Sequence, residues 1–393
     1  MLIKNYVKNS FITLFIIPLL IYNLIRKNNN FDVKDYFDLN SGLNIYGPKL
    51  DRGLGKIVKT FSDCAKNFFP IRFIILQQNS DIFKGYNSDK RGGVDLIIGN
   101  PDYLFKYLLR KPLGVFKNFK IGYFFWELES YPLFWKYKLL FFDEVWVSSE
   151  FNYKLFKKIH PKVKKIPFQV SPPFVMKKFN KKYFKIPQSK FIFLFFFDFA
   201  SGFYRKNPDG LVKAFITAFK NNKNVLLYIK SSRGHEDKDN YLYLKNMIKN
   251  YPNIIFVNKY LTATQTSSLL NISDCYVSLH RSEGLGLPMA EAMLLGKPVI
   301  ATNYSGNLEF MNDLNSFLID YSMTSVNNKY INADKNSFWA NPDLSHAAKL
   351  MKKVYLDKVN LLKNRRRVYN YQNDISNNYS KKNVHQFIKE NFL

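Results

Sequence analysis

The sequence predicts an α/β protein in which two parallel-sheet domains face a central cleft. From about residue 42 onward, apolar runs bounded by Gly, Pro, Asn and Asp alternate with helical patterns, the signature of βαβ units around a parallel sheet. The alternation stops at a basic, proline-containing break and then starts again, so the chain reads as two halves of like architecture. Length agrees, because 393 residues exceed what one hydrophobic core organises.

In the first half the strand candidates are residues 43–46, 71–76, 95–98, 120–125, 144–147 and 165–170, with helices at 54–66, 132–142 and 150–160 between most of them. Pro172, Pro173 and the tract "KKFNKKYFK" (177–185) interrupt the pattern and read as a linker. The second half opens with "FIFLFFFDF" (191–199), a run so apolar that both faces must be covered. Strands follow at 225–229, 253–257, 275–279, 299–302 and 316–319, with a long helix after Pro342 and a last one at 381–392. The expected divisions are a segment 1–40, a first domain 41–172, a linker 173–188, a second domain 189–375 and a terminal helical segment 376–393. In Rossmann-like sheets of this kind ligands bind beyond the carboxyl ends of the strands, so chemistry is expected in the cleft.

Composition narrows the partners. Hydrophobic residues make up 47% and charged residues 23%, as in a folded globular chain. The net charge is +29, from 59 basic against 30 acidic residues. That excess calls for an anionic partner (a phosphorylated small molecule, a membrane face or nucleic acid) or for compositional drift toward Lys, Asn, Phe, Ile and Tyr. The basic residues are spread through both halves rather than gathered in a stripe, which argues against nucleic acid. Cys64 and Cys275 lie far apart inside apolar runs, so neither a disulfide framework nor a Cys-based zinc site is expected, and a reducing cytosol fits. The five histidines show no metal-ligand spacing, and Asp237-Lys238-Asp239 reads as a solvated hydrophilic loop; no metal is expected. Residues 11–25 are apolar, interrupted by Thr13, Pro18 and Asn23 and flanked by Lys4, Lys8, Arg26 and Lys27. The run falls short of the roughly 20 residues that span a bilayer and lacks a small-residue cleavage site. It reads as an interfacial or marginally spanning anchor at the cytoplasmic face of a membrane, or else as a helix buried on the protein itself.

The stretch "HRSEGLGLPMAEAMLLGKPVIAT" (280–302) holds the densest functional signal. It begins as the loop after strand 275–279, with Pro288 suited to the first turn of the next helix and Gly296 to its C-terminal cap. Gly284 and Gly286 let backbone approach a ligand and the helix N-terminus favours phosphate, so Gly284, Gly286 and Leu287 are donor-binding candidates. Glu283 lies at the cleft, and Glu291 sits one turn into the helix facing the same loop. Carboxylates accept paired hydroxyl donors, so sugar and ribose hydroxyls are natural partners. Arg205 and Lys206 follow the 191–199 run and precede Asn207-Pro208, an N-cap and first helical position, so two cations and a helix start converge where a diphosphate fits. Lys230 ends the next strand and either points into this pocket or is a solvated strand end. His280 either lines the sugar pocket or packs. Glu127, after strand 120–125, either contacts sugar or acceptor or partners a helix dipole.

The segment "SEGLGLPMAEAM" resembles the Glu-x7-Glu motif of the family 4 retaining glycosyltransferases, group 1 glycosyl transferases with the GT-B fold. "DFASGFYRKNPDGLVKAF" resembles the start of their donor domain, "NYSGNLEFM" the loop after the motif and "WANPD" a downstream signature. "FFWELESYP" and "DEVWVSSEF" resemble acceptor-domain segments of one branch. Gly53 and Gly55 in "DRGLGKIVKTF" resemble the Gly-rich loop that approaches the donor phosphates; with Leu50 and Ile57 at its key positions it is no Walker A loop. The likeness covers roughly residues 41–390. It implies transfer of a hexosyl group from a nucleotide-diphosphate sugar, with retention, to a glycan or lipid-linked acceptor in cell-surface polysaccharide synthesis; no metal or cofactor is expected, because Arg205, Lys206 and helix dipoles already supply positive charge. By the resemblance Glu283 contacts the donor sugar, Glu291 holds the ribose hydroxyls, and Lys206 acts at the diphosphate. Arg205 is adjacent to Lys206, whereas the family separates its Arg and Lys by several residues. The terminal helix is expected to pack back toward the first domain. Two other classes compete: a basic membrane- or nucleic-acid-binding protein on a degenerate scaffold, and an epimerase or phosphorylase. Intact Glu283, Glu291 and Lys206 argue against the first, and the set of matching segments against the second.

Overall fold

A computed structural model describes residues 32–37, 39, 42–48, 53–76, 93–99, 104, 107, 118–171, 173–220, 222–326, 330, 333–334, 336–359 and 379–393. The apolar run 11–25 lies outside the described residues.

The first sheet holds six strands: β1 (Leu43–Gly47), β2 (Ile71–Ile75), β3 (Val94–Gly99), β4 (Phe119–Phe124), β5 (Glu144–Val147) and β6 (Val163–Lys165), in the order β2-β1-β3-β4-β5-β6. Leu43 registers with Ile71 on one side and Val94 on the other, and every pairing in the sheet is parallel. The second sheet holds β7 (Phe191–Phe196), β8 (Val225–Ser231), β9 (Ile254–Asn258), β10 (Cys275–Ser278), β11 (Val299–Thr302) and β12 (Phe317–Ile319), in the order β12-β11-β10-β7-β8-β9, again all parallel. Two doubly wound domains thus present the carboxyl ends of their strands to one cleft, as the alternation predicts.

Strand β7 shows why its run is so apolar. Phe191, Phe193 and Phe195 enter one core with Leu211, Phe215 and Met351, while Ile192 and Leu194 enter another with Leu226, Tyr276 and Met293. A period of two sends alternate side chains to opposite faces, and both faces are covered.

Four local expectations differ from the structure. The strand expected at 165–170 is instead β6, Val163–Lys165; Pro167 has no N–H to continue the ladder, and the chain continues without regular structure to Val170, whose N–H donates to the Tyr379 carbonyl at 3.2 Å. Asp237-Lys238-Asp239 is not an open loop: the Asp237 carboxylate caps the helix Lys238–Ile248 by accepting from the Asn240 N–H. Asn207 does precede the helix Pro208–Phe219, but its side chain makes no cap; in the left-handed region at φ 55°, it donates to the Leu279 carbonyl at 2.8 Å. An antiparallel hairpin, β13 (Tyr321–Ser325) and β14 (Phe338–Pro342), follows β12 where no hairpin was expected, because exposed Tyr321 and Phe338 leave no half-buried alternation to read.

The linker is packed rather than loose. Phe184 and Ile186 are buried, the Met176 N–H donates to Ser268 Oγ at 3.0 Å, and Gln265 donates to the Tyr183 hydroxyl at 2.7 Å. The terminal helix Lys381–Phe392 returns to the first domain. It buries Val384, Ile388 and Phe392, and the Phe392 ring meets Phe37, Phe69 and Trp146. Val33 is buried in the same core, so first-domain packing reaches back before residue 41. Among the described residues no helix is long and apolar enough to cross a membrane.

Candidate active site

The cleft between the sheets encloses a cavity of about 950 Å³. Its walls come from the loops after β7, β8, β9 and β10 and, opposite them, from Gly53, Lys56 and Glu127 of the first domain.

Glu283 sits where the loop after β10 turns toward the helix Leu287–Leu294, and it is buried. Lys206 Nζ donates to Glu283 Oε1, and Arg205 Nη1 lies 3.2 Å from Glu283 Oε2. Burial alone would raise this carboxyl; Lys206 and Arg205 outweigh it and bring its pKa down to about 2. Burial pushes Lys206 the other way from its carboxylate partner, downward, with Arg205 adding to that and Glu283 opposing. Arg205 is itself buried, yet Glu283 and Glu127 hold its guanidinium firmly charged. Arg205 also donates to the carbonyls of Ser282 at 2.9 Å and Ser201 at 3.1 Å. Adjacent rather than spaced, Arg205 and Lys206 close on one carboxylate from two sides because both lie in the short helix Phe203–Lys206.

The loop carrying Glu283 is gripped by both domains. Its backbone N–H donates to Ser305 Oγ at 2.8 Å, and its carbonyl accepts from the Gly306 N–H at 2.8 Å. From the first domain, Ser149 Oγ donates to the Gly284 carbonyl at 2.9 Å, and Ser282 Oγ donates to the Glu127 carbonyl. Gly284 lines the cavity, and it also sits against the first domain, where a Cβ on it would lie 3.4 Å from the Trp126 backbone. Gly286 takes φ 92° just before Leu287, with Pro288 in the first turn, and both line the cleft.

Glu291 lines the same cavity, eight residues on, and receives Lys56 Nζ from the first-domain helix Leu54–Ala65. Gly53 lines the cleft at φ 52°, whereas Gly55 is buried in the first turn of that helix. Lys230 lines the cavity at the end of β8. Glu127 lines it from the first domain, with Oε1 3.7 Å from Arg205 Nη2. His280 stands behind this wall: it is fully buried, with Nδ1 3.1 Å from Ser278 Oγ and Nε2 3.0 Å from Asn307 Oδ1. Burial lowers its pKa and leaves a neutral ring in a packing position. Of the two alternatives left open for His280, the structure shows packing.

Several cleft residues escaped the sequence reading. Lys56 lies inside the Gly-rich segment 51–61, where the glycines carry the resemblance and a lone lysine carries no motif. Asp198, Arg233 and Thr262 also line the cavity. Asp198 receives Arg233 Nε at 2.8 Å and Ser232 Oγ at 2.8 Å, a link between the β7 and β8 loops. Their position directly after strand ends was the available signal. Among the described residues no group of three His, Cys, Asp or Glu side chains gathers as a metal site would require.

Two parallel-sheet domains with a charged cleft at their strand ends define the GT-B class. A profile of the family described as glycosyl transferases group 1 matches residues 176–374, half of the chain. The chain belongs to that family. Among solved structures it is similar to HepE of Anabaena, determined with UDP and glucose, at 13% identity and TM-score 0.63 over 89% of this chain and 98% of that one. It is similar to a mutant of S. aureus TarM, determined with fondaparinux, alpha-GlcNAc-glycerol and UDP, at 15% identity and TM-score 0.55 over 75% of this chain and 55% of that one. It is also similar to WaaG, a glycosyltransferase involved in lipopolysaccharide biosynthesis, at 12% identity and TM-score 0.59 over 89% of this chain and 99% of that one. At these identities the likeness concerns the fold. No match is found among curated proteins.

Proposed function

We propose that this protein is a family 4 retaining glycosyltransferase that moves a hexosyl group from a nucleoside-diphosphate sugar to a hydroxyl of a glycan or lipid-linked acceptor. The observation that carries the reading is the cluster at the cleft: ionised Glu283 between Lys206 and Arg205, with Glu291 eight residues on in the same cavity. A donor sugar offers hydroxyls to Glu283 and a ribose offers them to Glu291, replacing Lys56. The C1–O bond to the diphosphate breaks with its electron pair on the leaving oxygen. The acceptor oxygen bonds to C1 on the same face, and its proton goes to the diphosphate. Lys206, Arg205 and the helix starts at Gly53 and Leu287 offset the growing negative charge. A uridine donor is the first candidate, because HepE and TarM were determined with UDP.

The reading extends to location. The apolar, base-flanked residues 11–25 and the net charge of +29 support work at the cytoplasmic face of a membrane, in cell-surface polysaccharide assembly. Release of UDP from a panel of UDP-sugars, with the anomeric configuration of the product read by NMR, tests the reaction. Transfer with inversion, or no turnover of any nucleotide sugar, would overturn it. Sedimentation with anionic phospholipid vesicles, compared with a chain lacking residues 1–31, tests the location.

A further inference from the structure

The hairpin β13–β14 belongs to the second domain but reaches the first. Ser337 Oγ lies 2.5 Å from Ser130 Oγ across the domain boundary. Tyr330, between the two strands, sets its ring 6.0 Å from the Trp126 ring and 6.3 Å from the Trp339 ring, centroid to centroid. The other neighbours of that ring are chemical. The Arg205 guanidinium lies 5.9 Å from its centroid, and the phenol O–H donates to Glu127 Oε2 at 2.9 Å. The same ring is what a side chain at Gly202 would meet, at 3.4 Å, so the residue before the Arg205–Lys206 helix leaves room for it. Tyr330 therefore touches both a first-domain carboxylate on the cleft and the cation behind Glu283.

Two consequences follow from elementary chemistry. A phenol donating to one carboxylate oxygen fixes the rotamer and leaves the other oxygen with open acceptor sites. That oxygen, Glu127 Oε1, is held 3.7 Å from Arg205, too far for a full hydrogen bond, on a side chain that is 20% exposed to the cleft. Without the phenol, Glu127 is free to swing onto Arg205 and compete with Glu283 for it. The phenol proton is secure as a donor, since burial and then the Glu127 charge push its pKa up.

We propose that Tyr330 is a positioning residue for transfer: its hydroxyl holds Glu127 and its ring holds Arg205, so that the open Glu127 oxygen faces a substrate hydroxyl in the cleft. The proposal rests on the glycosyltransferase reading above. Its test is UDP release from UDP-glucose and UDP-N-acetylglucosamine by Tyr330→Phe, Glu127→Gln and the double variant, each beside its melting temperature. Tyr330→Phe keeps the ring; we expect kcat to fall roughly tenfold, the loss typical of a hydrogen bond to a charged group, with melting unchanged within about 2 °C. The double variant should be no slower than Glu127→Gln alone, because the phenol acts through that carboxylate. Wild-type kcat in Tyr330→Phe, or losses that multiply in the double variant, would overturn the proposal and leave the reaction standing. If the wild type turns over no nucleotide sugar, the reaction fails instead, and hydrogen exchange at residues 126–128 decides the positioning role. Faster exchange in Tyr330→Phe upholds it, and unchanged exchange overturns it.

Discussion

Glu283, Lys206 and Arg205 form a buried triad in which each charge depends on the others. Removing Lys206 leaves Glu283 paired to Arg205 at 3.2 Å. Lys206→Ala should therefore cost less stability than the about 3–5 kcal/mol typical of orphaning a buried charge, while turnover falls about 10²–10³-fold. Steady-state kinetics beside melting temperatures check this. Glu283 also sets an acid limb. Its carboxyl titrates at about 2 in the folded protein against an ordinary 4.5, so the unfolded chain takes up the proton first. The stability it contributes is complete above pH 4.5 and is lost as pH falls toward 2. Melting temperature followed from neutral to acid pH should drop less steeply in Glu283→Gln than in the wild type. Glu291→Gln should behave differently from both if, as proposed, Glu291 holds the donor ribose, a contact that serves ground and transition states alike: donor KM rises and kcat stays close to wild type.

At the scale of elements, the loop between β10 and its helix is held at the cleft by backbone contacts from both domains. Gly306 opens the 3-10 turn Gly306–Glu309, and a Cβ on it would lie 2.2 Å from the Gly284 carbonyl oxygen. Backbone cannot swing aside as a side chain can. Gly306→Ala should displace Glu283, cutting kcat more than tenfold and costing about 1–3 kcal/mol, measured by turnover and denaturant midpoint. The strands and the Pro288 and Gly296 punctuation were legible in the sequence because each is a local preference repeated at a fixed period. The β13–β14 hairpin was not. Tyr321 and Phe338 are exposed, so that face lacks the alternation that marks a half-buried strand.

Across the whole molecule, the domains are tied both inside the cleft and away from it. Lys56 pairs with Glu291 inside the cleft, and the helix Lys381–Phe392 closes on the first domain at its back. Ile388 is fully buried there, so Ile388→Ala should cost about 2–5 kcal/mol in unfolding free energy while leaving donor KM near wild type. Val33 and Phe37 share that core, and a truncation that spares it ends at residue 31 rather than 40. Charge in the cleft comes from side chains and helix starts; full activity in excess chelator is the expected result, and strict Mg²⁺ or Mn²⁺ dependence would contradict it.

By itself the sequence determined the two βα series, the break between them, and the residues that cluster at the strand ends. Those depend on period, on turn chemistry and on where a strand must stop, all of which act over a few residues. Only the tertiary structure decided which of them meet. Glu283 and Lys206 are 77 positions apart, and Lys56 and Glu291 are 235 apart. His280 and Glu283 lie on one short loop, yet one packs behind the wall and the other faces the cleft. Tyr330 had no motif to announce it, because its partners, Glu127 and Arg205, are brought to it by the packing of one domain against the other. Local preferences are written in neighbouring residues, whereas a contact across a cleft depends on how two sheets far apart in sequence are oriented against each other.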